Sequence, residues 1–284
     1  METLRGSLLM ALAMVAFALE DMFIKQVARE LPVGQILILF GLGGMLVFAA
    51  VARAHGQPLW HPGFCTRPLV LRSLAEVTGR LCFTLAIALT PLSSASAILQ
   101  ATPLVVAGGA VVFFGEKVGW RRWLAIGLGF AGVLMILRPG ASGFEIYSLF
   151  AVIGTLGFAG RDLATRAAPK SMTNLQLGLF GFAMLVIAGA IALAWTGGAL
   201  WPSGRVWLYL ALTTGIGVIA YNALTGAMRH GEISVVAPFR YTRLVFAMAL
   251  GILVFGERPD SWTLLGSAVI VTSGLFTLLR SSRR

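Results

Sequence analysis

Long apolar stretches separated by short polar connectors are the dominant pattern of this sequence. A helix that crosses a bilayer needs about 20 mostly apolar residues. The chain holds ten such stretches, which we number as spans 1 to 10: residues 7–27, 33–53, 68–89, 93–114, 121–138, 144–166, 173–195, 206–228, 233–255 and 261–279. The connectors near 54–67 and 196–205 contain the Pro, Gly and polar residues typical of turns. The pattern therefore predicts an all-α membrane protein with ten transmembrane helices.

The sequence also nearly repeats itself after 141 residues. The matches in this one register are Phe114-Gly115-Glu116-Lys117 with Phe255-Gly256-Glu257-Arg258, Asp21 and Lys25 with Asp162 and Arg166, Phe17 with Phe158, Gln35 with Gln176, and Ser93 with Ser234. We therefore expect two five-helix repeats, residues 1–141 and 142–284. Because each repeat holds an odd number of spans, the second must enter the membrane inverted. Inverted repeats around a site at the bilayer midplane are typical of transporters.

Composition and charge agree with a membrane location. The chain is 58% hydrophobic and 12% charged, whereas soluble domains are about 25% charged. The net charge of +11 comes largely from Lys and Arg at one set of span ends, which the positive-inside rule assigns to the cytoplasm. We expect both termini to be cytoplasmic. The charge is explained by topology and indicates no nucleic-acid partner. We expect a monomer embedded in the lipid bilayer.

Signals of catalysis are missing from the sequence. His55, His61 and His230 lie in connectors or at span ends, and no metal cluster, Cys–His pairing or phosphate-binding glycine loop can be assembled. We expect no catalytic residue, no metal site and no cofactor. A membrane-embedded enzyme is kept as a distant alternative. Any uphill transport would be driven by a gradient or by exchange.

Ionisable side chains inside membrane spans are costly, so they are candidates for function. Polar residues of span 3 are three or four positions apart and share one helix face, and span 8 carries a matching face one repeat later. The two faces are Ser73, Glu76, Arg80 and Thr84, and Thr214, Gly217, Tyr221 and Thr225. The match favours a polar central cavity. The alternative is a Glu76–Arg80 pair that merely satisfies itself within the bundle.

Span 9 contains a proline followed by two arginines. Pro238 removes a backbone donor, and Arg240 and Arg243 need anions or water nearby. In span 4, the corresponding segment carries Gln100. The resulting candidate substrate-binding residues are Glu76, Arg80, Gln100, Tyr221, Arg240, Tyr241 and Arg243.

The charge balance of this set suggests the substrate. Arg80, Arg240 and Arg243 lie near mid-depth, and we count only Glu76 as a comparably deep carboxylate. An uncompensated buried arginine is costly, so an anionic group of the substrate is expected to complete the site. The alternative is that the arginines pair with carboxylates such as Glu76 to hold the bundle together.

Asp21 and Asp162 occupy matching positions in the two repeats and, in an inverted arrangement, lie towards opposite membrane surfaces. We predict that they form equivalent gates. Their partners four residues later, Lys25 and Arg166, are expected only to anchor helix ends by extending towards the interface.

Glu116 and Glu257 each follow a glycine at the end of a span. We expect Gly115 and Gly256 to end their helices and the carboxylates to cap the helices that follow.

With ten spans in two halves and Gly-Glu after the fourth span of each half, the chain resembles the drug/metabolite transporter superfamily, in particular its bacterial EamA-domain members. The segments that carry the resemblance run from Leu92 to Pro139 and from Ala237 to Gly274. The resemblance covers the whole chain. It implies alternating access around a cavity formed mainly by spans 1–4 and 6–9, with spans 5 and 10 outside.

Transporters of this kind export amino acids or move riboflavin, nucleotide-like compounds, sugar phosphates or drugs. We therefore expect an exporter of a small polar metabolite, with amino acids, including aromatic ones, as first candidates. Arginines would hold the carboxylate, and Glu76 or Asp162 the amine. The runner-up is uptake of a vitamin- or nucleotide-like aromatic anion such as riboflavin.

Overall fold

A computed structural model describes residues 2–115, 119–138, 145–166, 172–230 and 237–281. This part of the chain is helical, with α-helices Glu2–Val27, Val33–Ala54, Arg67–Leu89, Leu92–Leu99, Thr102–Phe114, Trp120–Leu137, Ser148–Arg166, Asn174–Thr196, Gly204–His230, Thr242–Phe255 and Ser261–Ser281. Short 3-10 helices cover Pro62–Cys65 and Ala237–Tyr241. The helices follow the predicted spans, except that spans 4 and 9 are broken.

Among the described helices, five are long and apolar enough to cross a membrane by those two properties alone: Leu4–Val27, Val33–Ala54, Leu92–Phe113, Asn174–Thr196 and Gly204–Leu224. Spans 5 and 10 contribute the shorter apolar helices Trp123–Leu137 and Ser261–Phe276. Spans 3 and 6 are not among these apolar helices because each carries several arginines and acids. These residues lie on the face that contacts a polar interior.

The α-helix of span 4 is interrupted at Gln100 and Ala101, although its apolar pattern is continuous. Pro103 cannot donate a backbone hydrogen bond, so carbonyls one turn earlier lose their usual donors. The Thr102 hydroxyl donates to the Leu99 carbonyl oxygen at 2.6 Å, and the Thr155 hydroxyl of span 6 lies 3.4 Å from the Ile98 carbonyl oxygen. Side chains thus satisfy the backbone at the break, as a membrane interior requires.

The two halves of the protein interlock. Span 1 packs along span 8, and span 3 packs along span 6. Span 2 packs against span 7, and span 5 against span 10. Exchanging the halves converts the first pair into the second and leaves the other two pairs unchanged, as a pseudo-two-fold axis requires. With five spans in each half, the prediction of an all-α membrane fold built from two inverted repeats is confirmed.

Spans 5 and 10 form a closely packed pair. A Cβ atom at Gly132 would lie 2.8 Å from the Gly266 carbonyl oxygen, so the backbones approach as closely as small residues permit. An ion pair between Arg138 and Asp260 joins the end of span 5 to the start of span 10. Neither span contributes a described residue to the cavity below, which agrees with the position outside the cavity that the resemblance implies.

The glycines after spans 4 and 9 end their helices as predicted. Gly115 and Gly256 both adopt the left-handed conformation, with φ of 65° and 66°. The prediction for Glu257 is wrong in one respect, because its carboxylate caps span 4 and not the helix that follows. Span 10 begins with Asp260 instead, whose carboxylate accepts the Thr263 N–H at 2.9 Å. Glu116 lies outside the described residues.

Candidate substrate site

A cavity of about 420 Å³ occupies the middle of the bundle and extends towards the end that carries both termini. Spans 1, 3, 4, 6, 7, 8 and 9 contribute to its walls. Arg72, Thr165 and Asn174 line it near that end, whereas Glu20 and Gly217 line it near mid-depth. Its volume falls within the roughly 300–1,000 Å³ of small-molecule sites.

Most of the residues singled out from the sequence line this cavity. They are Glu76, Arg80, Gln100, Tyr221, Arg240, Arg243 and Asp162. Tyr241 does not line it, because its side chain is buried against Gly274 of span 10. Asp21 is completely buried behind Arg243. The roles assigned to all these residues stay predictions.

Glu76 and Arg80 do not pair with each other, contrary to the self-satisfied alternative. Arg80 donates to the Glu20 carboxylate of span 1 at 2.9 Å. Glu76 lies 3.6 Å from Arg72 and 3.4 Å from Arg161 of span 6. Span 3 lies between spans 1 and 6, so its acid and its base each find a partner on a different neighbour.

Arg243 is also paired, which corrects the expectation that the deep arginines lack carboxylates. Its guanidinium donates to the Asp21 carboxylate at 2.5 Å. It also lies 5.0 Å from the ring centroid of Phe17 and 5.6 Å from that of Phe83, within the range of cation–π attraction. Glu20 and Asp21 are therefore two deep carboxylates that the sequence count overlooked.

Three charged side chains remain partly accessible from the cavity. Arg161 donates to the Asp162 carboxylate at 3.0 and 2.9 Å, and Arg240 lies 3.7 Å from the other oxygen of the same carboxylate. Arg161, Asp162 and Arg240 expose 21%, 26% and 29% of their side chains, against 1% for Glu20 and 5% for Glu76. The other charged residues of the cavity are less exposed, with 14% for Arg80 and 15% for Arg243, so these three groups are its most accessible charges.

The charges of the network do not cancel. Four carboxylates face five guanidinium groups: Glu20, Asp21, Glu76 and Asp162 against Arg72, Arg80, Arg161, Arg240 and Arg243. The network as a whole therefore carries one excess positive charge when all nine groups are ionised. A ligand with an anionic group would compensate this charge.

Gln100 supports the site mainly through the backbone. Its side-chain amide donates towards the Arg240 and Tyr241 carbonyl oxygens at 3.3 and 3.5 Å. These carbonyls belong to the 3-10 helix that precedes the last helix of span 9. Gln100 thus joins the break in span 4 to the break in span 9 and fixes the backbone that presents Arg240.

Six polar residues of the cavity were missed as binding candidates: Glu20, Arg72, Thr102, Arg161, Thr165 and Asn174. Glu20 and Arg161 stand next to Asp21 and Asp162 inside apolar spans, so the signal was present. Arg72 lies one helical turn before Glu76. Asn174 stands at the start of span 7, where sequence alone predicts only a helix terminus.

The comparisons with known proteins identify the family. The model of the EamA-like transporter family matches residues 4–138 and 145–279. The chain belongs to this family. It is therefore a multi-pass membrane transporter of a small molecule.

Curated relatives of similar length transport different compounds. The chain is 27% identical to the pseudopaline exporter CntI of Pseudomonas aeruginosa (strain UCBPP-PA14), over 94% of both chains. It is also 27% identical to a riboflavin transporter of Rhizobium johnstonii, over 98% of this chain and 92% of the relative. An S-adenosylmethionine uptake transporter of Rickettsia felis is 28% identical, over 75% and 72% of the two chains. These relatives agree on transport and differ in substrate and direction.

Proposed function

We propose that this protein is a bacterial inner-membrane secondary transporter that exports a small amino-acid-like metabolite by alternating access. The observation that carries the proposal is the accessible group of Arg161, Asp162 and Arg240. It offers a carboxylate between two guanidinium groups on the cavity wall. Charges of both signs at one site match a zwitterion better than a simple anion or cation.

The geometry assigns a separate role to each end of the substrate. Arg240 is 3.7 Å from Asp162, too far for a short charge-assisted hydrogen bond, so its donors remain available for a substrate carboxylate. The Asp162 carboxylate is the accessible acceptor for a substrate ammonium group. Of the two acids considered from the sequence, Glu76 is already enclosed by Arg72 and Arg161. The excess positive charge of the network favours a substrate with at least one carboxylate.

Aromatic rings also form part of the cavity wall, and the Phe158 ring lies 4.9 Å from the Arg161 guanidinium. Phe17, Phe158, Phe182 and Tyr221 line the cavity. Such rings provide apolar surface for a side chain, and they favour flat or aromatic groups through offset or edge-to-face contacts. The combination of a charged pole and an aromatic wall supports amino acids with apolar or aromatic side chains.

Export is the direction that we propose, and the cavity is compatible with it. The cavity reaches the end of the bundle that the positive-inside rule assigns to the cytoplasm. In this state an exporter loads its substrate and an importer releases it. The pseudopaline exporter shows that the family includes export.

The proposal is tested by uptake and counterflow with a substrate panel in proteoliposomes. We expect Arg240→Gln to weaken transport of carboxylate-bearing substrates by about ten- to a hundredfold, because a charge-assisted contact is lost. Asp162→Asn is expected to abolish the preference for amino acids over the matching acids that lack the amine. Arg205→Gln is the control, since Arg205 is exposed and remote from the cavity.

Parent-like transport by both site variants contradicts the proposal, as does equal competition by esterified analogues. The panel also tests uptake of an aromatic anion such as riboflavin, the second candidate. The riboflavin-transporting relative and the aromatic wall favour that reading. Membership of a transporter family favours both over a membrane-embedded enzyme.

A further inference from the structure

We propose that Lys25, Ser93 and Glu257 form a latch that closes the transport path at the end of the bundle opposite to the cavity mouth. The inference goes beyond the substrate and rests only on the alternating-access part of the proposed function. At this end, spans 1, 3, 4 and 9 converge, and side chains and backbone groups of all four take part in the contacts.

Lys25 lies folded into the bundle, which corrects the expectation that it merely anchors a helix end. Its ammonium group donates to the Ile87 carbonyl oxygen at 3.1 Å and to the Thr90 carbonyl oxygen at 2.5 Å. It also lies 3.5 Å from the Glu257 carboxylate. The Lys25 and Glu257 side chains expose 14% and 9% of their surfaces. The ammonium group therefore joins the end of span 1 to the ends of spans 3 and 9.

The Glu257 carboxylate completes the closure from the other half of the protein. It accepts the Leu92 N–H at 2.6 Å, the Ser93 N–H at 3.0 Å and the Ser93 hydroxyl at 2.8 Å. These donors begin the first helix of span 4, where backbone N–H groups lack intrahelical partners. A negative charge is favourable at a helix N-terminus, so this contact stabilises the closed arrangement.

Backbone geometry aims Glu257 across the bundle. Gly256 is left-handed, and the Glu257 N–H donates to the Gly251 carbonyl oxygen at 3.0 Å. A Cβ atom at Gly251 would lie 3.1 Å from the carboxyl carbon of Glu257, so a side chain there would crowd the acid. The glycines therefore hold the carboxylate against span 4.

The latch contacts close the path from this end of the bundle to the cavity. A buried residue of span 4, Ser96, lies between the latch and the cavity. Ser96 follows Ser93 by three residues and precedes Gln100 by four, so all three share one face of span 4. Ser93 and Ser96 are each 1% exposed, whereas Gln100 lines the cavity. Opening the latch would give water access to Ser96 from this end.

The latch also links parts that alternating access must separate. Lys25 and Ser93 belong to the first repeat and Glu257 to the second. A basic residue, a serine and a glutamate recur at the equivalent positions of the other repeat, Arg166, Ser234 and Glu116. Their side chains lie outside the described residues. Retention of all three types in one register is the pattern of a functional unit, since a chance surface contact would not require it.

The experiment measures access to a single cysteine at Ser96. In a chain with Cys65→Ser, Cys82→Ser and Ser96→Cys, a charged, membrane-impermeant thiol reagent is applied from the latch side. We expect Lys25→Met and Glu257→Gln each to raise the labelling rate about ten- to a hundredfold, because charge-assisted contacts that hold the closed state are lost. Ser93→Ala removes one hydroxyl and is expected to raise the rate less.

Glu30→Gln is the matched control, because Glu30 forms an exposed ion pair with Arg205 at the same end. Parent-like labelling in all three latch variants overturns the proposal and leaves Glu257 as a simple helix cap. If Lys25→Met or Glu257→Gln fails to fold, the labelling rate of the Ser93→Ala variant alone tests the proposal. The labelling assay needs no substrate, so a result against the latch does not contradict the proposed substrate class. A negative transport assay, in turn, does not contradict the latch.

Discussion

Glu20 and Asp21 are consecutive residues of span 1, yet they neutralise arginines on two different helices. Glu20 pairs with Arg80 of span 3 and Asp21 with Arg243 of span 9. Adjacent residues of a helix point about 100° apart, which places their side chains towards different neighbours. A buried ion pair contributes little relative to apolar packing, but removal of one partner leaves an uncompensated charge. The two acids therefore make the position of span 1 depend on spans 3 and 9.

The first prediction concerns the Glu20–Arg80 pair. We expect Glu20→Gln to destabilise the protein by about 3–5 kcal/mol, because Arg80 then lacks its charged partner. The double variant Glu20→Gln, Arg80→Gln is expected to lose less stability than the two single variants lose together, because the ion pair is removed as a unit. The measurement is the apparent midpoint of thermal unfolding in detergent.

The control for this prediction is Glu30→Gln, whose partner Arg205 is 70% exposed. An exposed ion pair contributes about 1 kcal/mol or less. If Glu20→Gln shifts the midpoint no more than Glu30→Gln, the Glu20–Arg80 pair is dispensable for stability.

The sequence could identify which positions are polar but not how they pair. Glu76 and Arg80 were placed on the cavity because their spacing puts them on one helix face. That same spacing suggested that they pair with each other. Arg80 instead pairs with Glu20 of span 1, and Glu76 contacts Arg161 of span 6 besides Arg72, one turn earlier in its own span. Which spans flank span 3 is a property of the tertiary arrangement and is not encoded in helical periodicity.

Close packing of spans 1 and 8 leaves little room for a side chain at one position of span 8. Gly217 stands one repeat after Glu76, and the Glu20 carboxylate of span 1 fills the space that a side chain at position 217 would need. A Cβ atom there would lie 2.9 Å from the Phe40 ring and 3.1 Å from the Glu20 carboxylate. The glycine thus permits span 1 to bring its carboxylate to mid-depth. The polar face predicted on span 8 is real at Tyr221, which lines the cavity, but at Gly217 it is space for a neighbour.

The second prediction compares two glycines of this helix. We expect Gly217→Ala to destabilise the protein by about 1–3 kcal/mol through overpacking and to impair transport. Gly215→Ala is the control, because a Cβ atom there meets nothing within 4 Å. Alanine favours helix over glycine by up to about 1 kcal/mol, so the control is expected to be neutral or stabilising. Equal effects in thermal unfolding and transport assays would show that Gly217 has no packing role.

The breaks of spans 4 and 9 show both the reach and the limit of sequence patterns. Pro238 indicated a disturbed backbone in span 9, whereas span 4 was predicted as one continuous stretch, and its Pro103 does not stand in the repeat register with Pro238. The helices that follow the breaks nevertheless begin at Thr102 and Thr242, within one residue of equivalent positions. Contacts between the halves satisfy the backbone at both breaks, through Thr155 at span 4 and Gln100 at span 9.

At the scale of the whole molecule, a symmetric scaffold carries an asymmetric site. The helix pairs follow the pseudo-two-fold axis. Charged residues, however, correspond to residues of a different type at the equivalent position of the other repeat. Glu20 corresponds to Arg161, and Arg80 to Tyr221. The symmetric part was predictable because a repeat of five spans leaves a strong signal in hydropathy. The charge pattern around the cavity is particular to each half, and it decides what the site binds.

The last prediction concerns the orientation of the whole molecule. Reporter fusions after residue 138 and after residue 284 are expected to lie on opposite sides of the membrane, because spans 6 to 10 separate the two points. An alkaline phosphatase fusion should be active at 138 and a fluorescent protein at 284, since the positive-inside rule assigns the termini to the cytoplasm. A fusion in the connector near residue 57, after span 2, is the control and should report the cytoplasm.

Each outcome of this test has a separate consequence. Reports from the same side at 138 and 284 contradict an odd number of spans in the second half, and with it the inverted repeat. Opposite sides with both termini outside preserve the fold but reverse the molecule. The cavity mouth near Arg72 and Asn174 would then face outwards, so this structure would be the outward-facing state. The fusions therefore test the fold and the side to which the cavity opens in one experiment.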